Sequence, residues 1–116
     1  MTKTVEMTTS AGTLRIELDD VKAPASVANF LAYAAKGHYD NTVFHRVMGT
    51  FMIQGGGYTA DLTEKPTRAP IPLESQTGLK NNRGAVSMAR RSDPNSATSQ
   101  FFINVVDNPR LDYPNP

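Results

Sequence analysis

The sequence predicts a mainly β fold, a sandwich or a barrel, with one early helix. Apolar and polar residues alternate with a period of two in several short segments, which is typical of half-buried strands. Only residues 24–36 show convincing helical periodicity. Turn-forming glycine, proline, asparagine and aspartate separate these segments. Residues 1–116 are therefore expected to form a single domain.

The first two strands are predicted to form a β-hairpin. Apolar and polar residues alternate in Thr4–Thr8 and again in Thr13–Leu18. Ser10-Ala11-Gly12 between them has the composition of a tight turn. This spacing predicts antiparallel pairing of the two segments.

The helix is predicted over Pro24–Lys36. Proline suits the first helical position, where its missing N–H is harmless. The apolar stripe at helical spacing consists of Val27, Phe30, Leu31 and Ala34. Gly37 follows as the residue that ends the helix. We expect the stripe to pack on the core and the helix to cover the end of a sheet or barrel.

The rest of the chain is organised around Val43–Gly57, which predicts two short strands joined by a tight connection and closed by glycines. A period of two puts Phe44 and Arg46 on one face, and His45 on the other. His45 is expected to point inward and to hydrogen-bond the backbone. An arginine in an apolar strand is costly to bury unpaired. Either a carboxylate pairs with Arg46, or Arg46 lies on an outer face beside exposed apolar side chains, which suits a peptide ligand.

Two later segments also predict strands. Arg83–Ala89 is one, and Phe101–Val106 is the stronger. In the second, a period of two places Gln100, Phe102 and Asn104 on one face, opposite Phe101, Ile103 and Val105. The companions of Arg46 on its face are then never acidic, which favours the outer-face arrangement.

The connections between these strands are mostly irregular. Tyr58–Gln76 is predicted to be loop, with a weak strand at Ile71–Glu74 because proline is confined to strand starts and edges. Arg90–Ser99 is predicted to be a polar loop with a turn at residues 93–95, and a further turn follows at residues 107–109.

Composition excludes several classes of function. A net charge of +1 gives no strong field toward nucleic acid or an anionic membrane. With no cysteine there is no thiolate catalysis, and a reducing compartment such as the cytoplasm fits. The two histidines have no metal-binding spacing, so no metal is expected. No secretion signal is visible, and no apolar run approaches the roughly 20 residues that span a bilayer.

Four segments together resemble the signature blocks of the cyclophilin family, in order and at near-family spacing. They are Val43–Val47, Phe51–Gly56, Ser87–Ala89 and Ser99–Ile103. The resemblance covers essentially the whole chain and is nearest to the small bacterial cytoplasmic cyclophilins. It implies an antiparallel eight-stranded barrel capped by helices. It also implies peptidyl-prolyl cis-trans isomerase activity without a cofactor, on proline-containing peptides and unfolded proteins.

The same resemblance implies a role for each matching residue. Arg46 would be catalytic, donating a hydrogen bond to the prolyl nitrogen. The pocket for the proline ring would consist of Phe51, Met52, Phe102 and Leu111. Gln54 would bind the carbonyl side of the peptide, the Arg90 backbone would pair with the extended peptide, and Ala89 would line the neighbouring subsite. Gln100 would support either Arg46 or that subsite.

The sequence departs from the family pattern in two ways. It has no tryptophan, and Arg110 stands where many members carry one, so weakened binding of cyclosporin is expected. The family pattern also continues beyond residue 116 with two strands and a second helix, so we expect an incomplete domain with open sheet edges. The alternative function is a proline-peptide binding or scaffolding module with little or no turnover.

Overall fold

The computed structural model describes residues 2–71, 80–90 and 95–111, apart from the side chains of Thr2 and Arg110. Most of the predicted turn at residues 93–95 and most of the weak strand at Ile71–Glu74 lie outside these ranges. In the part described, the elements in chain order are β1 Thr2–Thr9, β2 Gly12–Asp19, α1 Pro24–Ala35, β3 Arg46–Met48, β4 Met52–Gly55, β5 Val86–Met88, β6 Phe101–Asn104 and a 3-10 helix at Pro109–Leu111.

The predicted hairpin is confirmed and is longer than expected. β1 and β2 pair antiparallel from Thr2↔Asp19 to Thr9↔Gly12. Thr9 closes the turn, because its Oγ1 donates to the carbonyl of Gly12 at 2.6 Å and accepts from the N–H of Ala11 at 3.2 Å. Ile16 is buried in the core.

The other four described strands form an antiparallel sheet in the order β3-β4-β6-β5. The alternation predicted for the last strand is confirmed, although β6 ends at Asn104 and not at Val106. Phe101 is 2% exposed, and Ile103 packs against the same core. Phe102, between them, faces the opposite side and is half-buried. Among the described residues, the two sheets share no strand and do not close into a barrel.

An aromatic cluster holds the helix on the core side of this sheet. The Phe30 ring stacks on Tyr39 with centroids 4.9 Å apart and meets Phe101 edge-on at 5.7 Å. Phe44 meets Phe101 edge-on at 6.0 Å. Such pairs contribute beyond simple burial because ring edges and faces carry opposite partial charge. The core therefore centres on Phe101.

The helix forms as predicted, but its buried face is partly different. Val27 and Phe30 are buried as expected, whereas Ala34 is exposed. The residues that replace it are polar in part: Asn29 donates to the carbonyl of Thr98 at 2.6 Å, and the Tyr33 hydroxyl accepts from the N–H of Arg68 at 2.7 Å. These two hydrogen bonds, to the loops that contain Thr98 and Arg68, place Asn29 and Tyr33 on the buried face of the helix. Hydrophobicity alone does not predict this change of the buried face.

The predicted alternation over Val43–Val47 is wrong at its start. β3 begins only at Arg46, so strand periodicity does not extend back to Phe44, which packs on the core while Arg46 is exposed. Val47, which follows Arg46 in β3 and lies two residues after His45, is 66% exposed. His45 is half-buried beside Tyr58, but no hydrogen bond from its Nδ1 is found within the described ranges, so the expected bond to the backbone is not made there.

A tight backbone crossing follows β4. Gly56 has a φ of +93°, and a Cβ there would lie 2.9 Å from both the Ser99 carbonyl oxygen and the Tyr39 ring. A side chain would therefore meet an unfavourable backbone conformation and two immobile neighbours at once. Glycines were expected to close the second strand of Val43–Gly57, and Gly56 allows this close approach directly after β4.

Gly56→Ala is expected to lower the free energy of unfolding by about 2–4 kcal/mol, the sum of backbone strain and overpacking. Gly49→Ala is the matched control, because nothing lies within 4 Å of its added Cβ. Urea denaturation measures both. Equal stability of the two variants would contradict the close approach.

Candidate functional site

Three of the predicted site residues form a row across the sheet. Arg46 on β3 pairs directly with Gln54 on β4, which pairs with Phe102 on β6. Directly opposed residues of antiparallel strands share a face, and strands lie about 4.8 Å apart, so the backbones of Arg46 and Phe102 are roughly 10 Å apart. Arg46 is exposed, and no carboxylate among the described residues pairs with it. Of the two arrangements left open for Arg46, the structure has the outer-face one.

A second row lies alongside the first on the same face. Met48 pairs with Met52, and Met52 pairs with Asn104. Met52 is only 3% exposed, whereas Met48 is 41% exposed. Met52 can therefore form the floor of a pocket but offers little surface of its own.

Phe51 and Leu111 are both hydrogen-bonded to one residue, Asn108. The side-chain Nδ2 of Asn108 donates to the backbone carbonyl of Phe51 at 3.0 Å. The backbone carbonyl of Asn108 accepts from the N–H of Leu111 at 3.0 Å. Both apolar side chains are half-buried and so retain accessible surface.

A groove of about 460 Å³ adjoins this face. Gln54 lies on the sheet face and also lines the groove. Its Nε2 donates to Oε1 of Gln100 at 2.9 Å. Ala89 also lines the groove, and its N–H donates to the carbonyl of Gln100 at 3.0 Å. Arg90 completes the predicted residues found there. Four predicted site residues thus meet in the groove, while Arg46 and the four apolar residues lie outside its lining.

Several groove residues were not predicted from the sequence. They are Gly57, Glu64, Thr67, Arg68, Pro70, Ser96, Thr98 and Ser99. Most belong to irregular loops, where no periodicity indicates which side chains face inward. The glycine run was the one available signal: a Cβ on Gly57 would lie 2.6 Å from Cγ of Gln100, so the missing side chain makes room for that glutamine.

Buried polar contacts fix the backbone beside the groove. The Gly56 carbonyl accepts from Oγ of Ser99 at 2.9 Å and from Nε2 of His38 at 3.1 Å. The Tyr39 hydroxyl donates to the Ser99 carbonyl at 2.8 Å, and burial raises the pKa of Tyr39 well above its usual value. This tyrosine therefore stays protonated and acts as a hydrogen-bond donor.

No group of three side chains able to hold a metal ion occurs in the described ranges. Nor does any described helix have the length and hydrophobicity needed to cross a bilayer.

Comparison with protein families shows which family the chain belongs to. The model of the family described as cyclophilin type peptidyl-prolyl cis-trans isomerase matches residues 4–115. The chain is a cyclophilin. It is 57% identical over 110 residues to a peptidyl-prolyl cis-trans isomerase of Streptomyces antibioticus, covering 95% of this chain and 66% of that protein. It is 52% identical to peptidyl-prolyl cis-trans isomerase B of Escherichia coli, covering 90% of this chain and 64% of that one.

Solved cyclophilin structures share the fold. A Cryptosporidium parvum cyclophilin, crystallised in the presence of the dipeptide Ala-Pro, superposes with a TM-score of 0.81 at 35% identity, covering 95% of this chain and 72% of that one. A cyclophilin from Hirschia baltica gives a TM-score of 0.83 at 26% identity, covering 94% and 59%. The predicted family and mainly β fold are confirmed. The present chain spans about two thirds or less of the length of the bacterial relatives that it matches.

The two histidines of this cyclophilin predict a pH dependence of stability. Burial lowers the pKa of His38, the bond to Gly56 opposes this, and the charge of Lys65 lowers it further. Burial and then the charge of Arg46 lower the pKa of His45. A base with a depressed pKa binds fewer protons in the folded state, so stability is present above the unfolded pKa of about 6.5 and is lost as the pH falls below it.

Urea denaturation between pH 7.5 and pH 5.5 is therefore expected to show a decreasing free energy of unfolding. The double variant His38→Gln/His45→Gln should flatten this dependence. A pH dependence unchanged in the double variant would assign the loss of stability to other groups.

Proposed function

We propose that this chain accelerates the cis-trans isomerisation of X-Pro bonds in peptides and unfolded proteins. The observation that carries the proposal is the register of Arg46, Gln54 and Phe102 on the exposed face of the sheet. This row places a cation, an amide and an aromatic ring within the length of a short peptide. Membership of the cyclophilin family supports the same activity.

The chemistry requires stabilisation of a twisted amide and no change of bonding. Rotation about the prolyl bond has a barrier of ~18–20 kcal/mol because the nitrogen lone pair conjugates with the carbonyl. The two ground states differ by only about 0.5–1 kcal/mol. At the barrier top the nitrogen is pyramidal and accepts a hydrogen bond that neither ground state accepts well. A donor directed at this nitrogen therefore stabilises the transition state selectively.

Arg46 is the donor in this proposal. Its guanidinium is always protonated and carries five N–H groups. It is exposed and has no carboxylate partner among the described residues, so its donors are available to a substrate. A hydrogen bond from a charged donor contributes about 1.5–3 kcal/mol, which corresponds to roughly 10–150-fold in rate.

The proline ring binds beside Arg46 in the pocket of Phe51, Met52, Phe102 and Leu111. Met52 forms the floor, because it is almost fully buried between its register partners. Phe51, Phe102 and Leu111 retain exposed surface and form the walls.

The residues that precede proline extend into the groove. Gln54 uses one of its two amide hydrogens on Gln100, which leaves the other to donate to a peptide carbonyl. The backbone of Arg90 pairs with the extended peptide, and Ala89 lines the subsite. Of the two roles considered for Gln100, the bond to Gln54 supports the one in the subsite.

The proposal extends to ligand and location. Cyclosporin binds weakly, because Arg110 stands where many family members have a tryptophan. A cytoplasmic location is compatible with a sequence that contains no cysteine.

Arg46→Ala is expected to lower the isomerisation rate by at least tenfold, while the affinity for an Ala-Pro peptide changes little, because the lost bond forms mainly in the transition state. Arg15→Ala is the control, since Arg15 is an exposed arginine on β2. A protease-coupled assay and a peptide titration provide the two readouts.

Isomerisation unaffected by Arg46→Ala would overturn this mechanism. Peptide binding by the unmutated chain with no acceleration of isomerisation would instead support a proline-peptide binding module without turnover.

Gly57→Ala tests the groove. Its Cβ would displace the Gln100 side chain from Cγ outward and so disturb the bond from Gln54 to Gln100. The cost in stability is expected to be small, because this side chain is flexible. We expect several-fold weaker binding of a tetrapeptide with residues before proline, and unchanged binding of the dipeptide Ala-Pro. Equal losses for both peptides would argue against the groove as a subsite.

A further inference from the structure

Three asparagines join through their side-chain amides beside Met52, the floor of the proposed proline pocket. Asn104 is 1% exposed and Asn108 is 5% exposed, and Asn81 is half-buried beside them. Asparagine is rarely so deeply buried without a structural reason, because an unsatisfied amide in the interior is costly. We call this set, Asn81, Asn104 and Asn108, the amide cluster.

Asn108 connects the two walls of the pocket. Its Nδ2 donates to the Phe51 carbonyl at 3.0 Å and to Oδ1 of Asn104 at 2.8 Å. Its backbone carbonyl accepts from Leu111 at 3.0 Å, and its backbone N–H donates to the Asn81 carbonyl at 2.8 Å. Asn108 therefore fixes the position of the β3–β4 connection, which contains Phe51, relative to the 3-10 helix, which contains Leu111.

The other two members hold Asn108 in place. Asn104 donates from Nδ2 to Oδ1 of Asn81 at 3.2 Å and to the carbonyl of Ala85 at 3.0 Å. Its orientation is set because both partners are acceptors. Asn104 is anchored in β6 opposite Met52, so the cluster is tied to the same sheet as the pocket floor.

The side chain at position 108 must be a donor. The Phe51 carbonyl and Oδ1 of Asn104 are both acceptors, and both face Nδ2. A carboxylate of the same shape would place an acceptor oxygen against these two acceptor oxygens, so neither hydrogen bond could form. An apolar residue would leave Oδ1 of Asn104 without this donor in a buried site.

We propose that Asn108 is a positioning residue that sets the separation of Phe51 and Leu111, and so the fit of the pocket to a proline ring. This rests on the proposed function. The ring occupies the pocket in the ground state and in the transition state alike, so loss of the fit weakens binding without slowing the bound reaction. The expected effect is thus opposite to that of Arg46→Ala.

Asn108→Asp is the test, because it keeps the shape and removes the donor. NMR exchange spectroscopy with an Ala-Pro peptide gives both the Kd and the isomerisation rate at saturating enzyme. We expect Kd to rise about tenfold, the effect of one disrupted buried hydrogen bond, and the saturated rate to stay within about twofold. Asn82→Ala, a change at an exposed neighbouring asparagine, should alter neither.

Two outcomes would overturn the positioning role: an unchanged Kd in a folded Asn108→Asp variant, or a fall in the saturated rate at constant Kd. If this variant does not fold, Asn81→Ala takes its place. It removes a support of Asn104 but keeps the bond from Asn108 to Phe51, so a two- to threefold rise in Kd is expected and an unchanged Kd contradicts the proposal. Failure of the proposed function is distinct, because the unmutated chain would then show no catalysed exchange.

Discussion

The burial of Phe101 fixes the arrangement of the whole site. Its ring packs edge-on against rings from the helix and from the segment before β3, and it is almost fully enclosed. Because strand side chains alternate, this burial forces Phe102 to the opposite face. Because Phe102 pairs with Gln54 and Gln54 pairs with Arg46, these two residues lie on the same face of the sheet as Phe102. The core side of one strand therefore determines where the exposed cation lies.

The backbone after β4 provides a second constraint. Gly56 crosses close to Ser99 and Tyr39, which a side chain would prevent, and its carbonyl is held by two donors. Gly57 then leaves room for Gln100 to meet Gln54. The face that carries Arg46 and the adjoining groove are thus joined by a segment with little freedom to move, which suits a catalyst that relies on preorganised donors.

Sequence periodicity predicted the parts of this arrangement that lie in regular strands. The outward position of Phe102 follows from alternation alone, and so does the shared face of Met52 and Gln54. The prediction failed at Phe44, where the chain is not yet a strand. The prediction also missed Glu64, because irregular loops have no period. It missed the amide cluster, because the sequence does not indicate whether an asparagine amide is buried and hydrogen-bonded or exposed to water.

The proposed function requires that the sheet face carrying Arg46 binds a prolyl peptide and accelerates rotation of its X-Pro bond. NMR on the unmutated 116-residue chain tests this most directly, with labelled protein and an Ala-Pro peptide in one sample. We expect cis-trans exchange far above the uncatalysed rate, together with chemical-shift changes at Arg46, Gln54 and Phe102. Exchange at the uncatalysed rate, or shifts confined to the exposed face of the β1–β2 hairpin around Glu17, would contradict it.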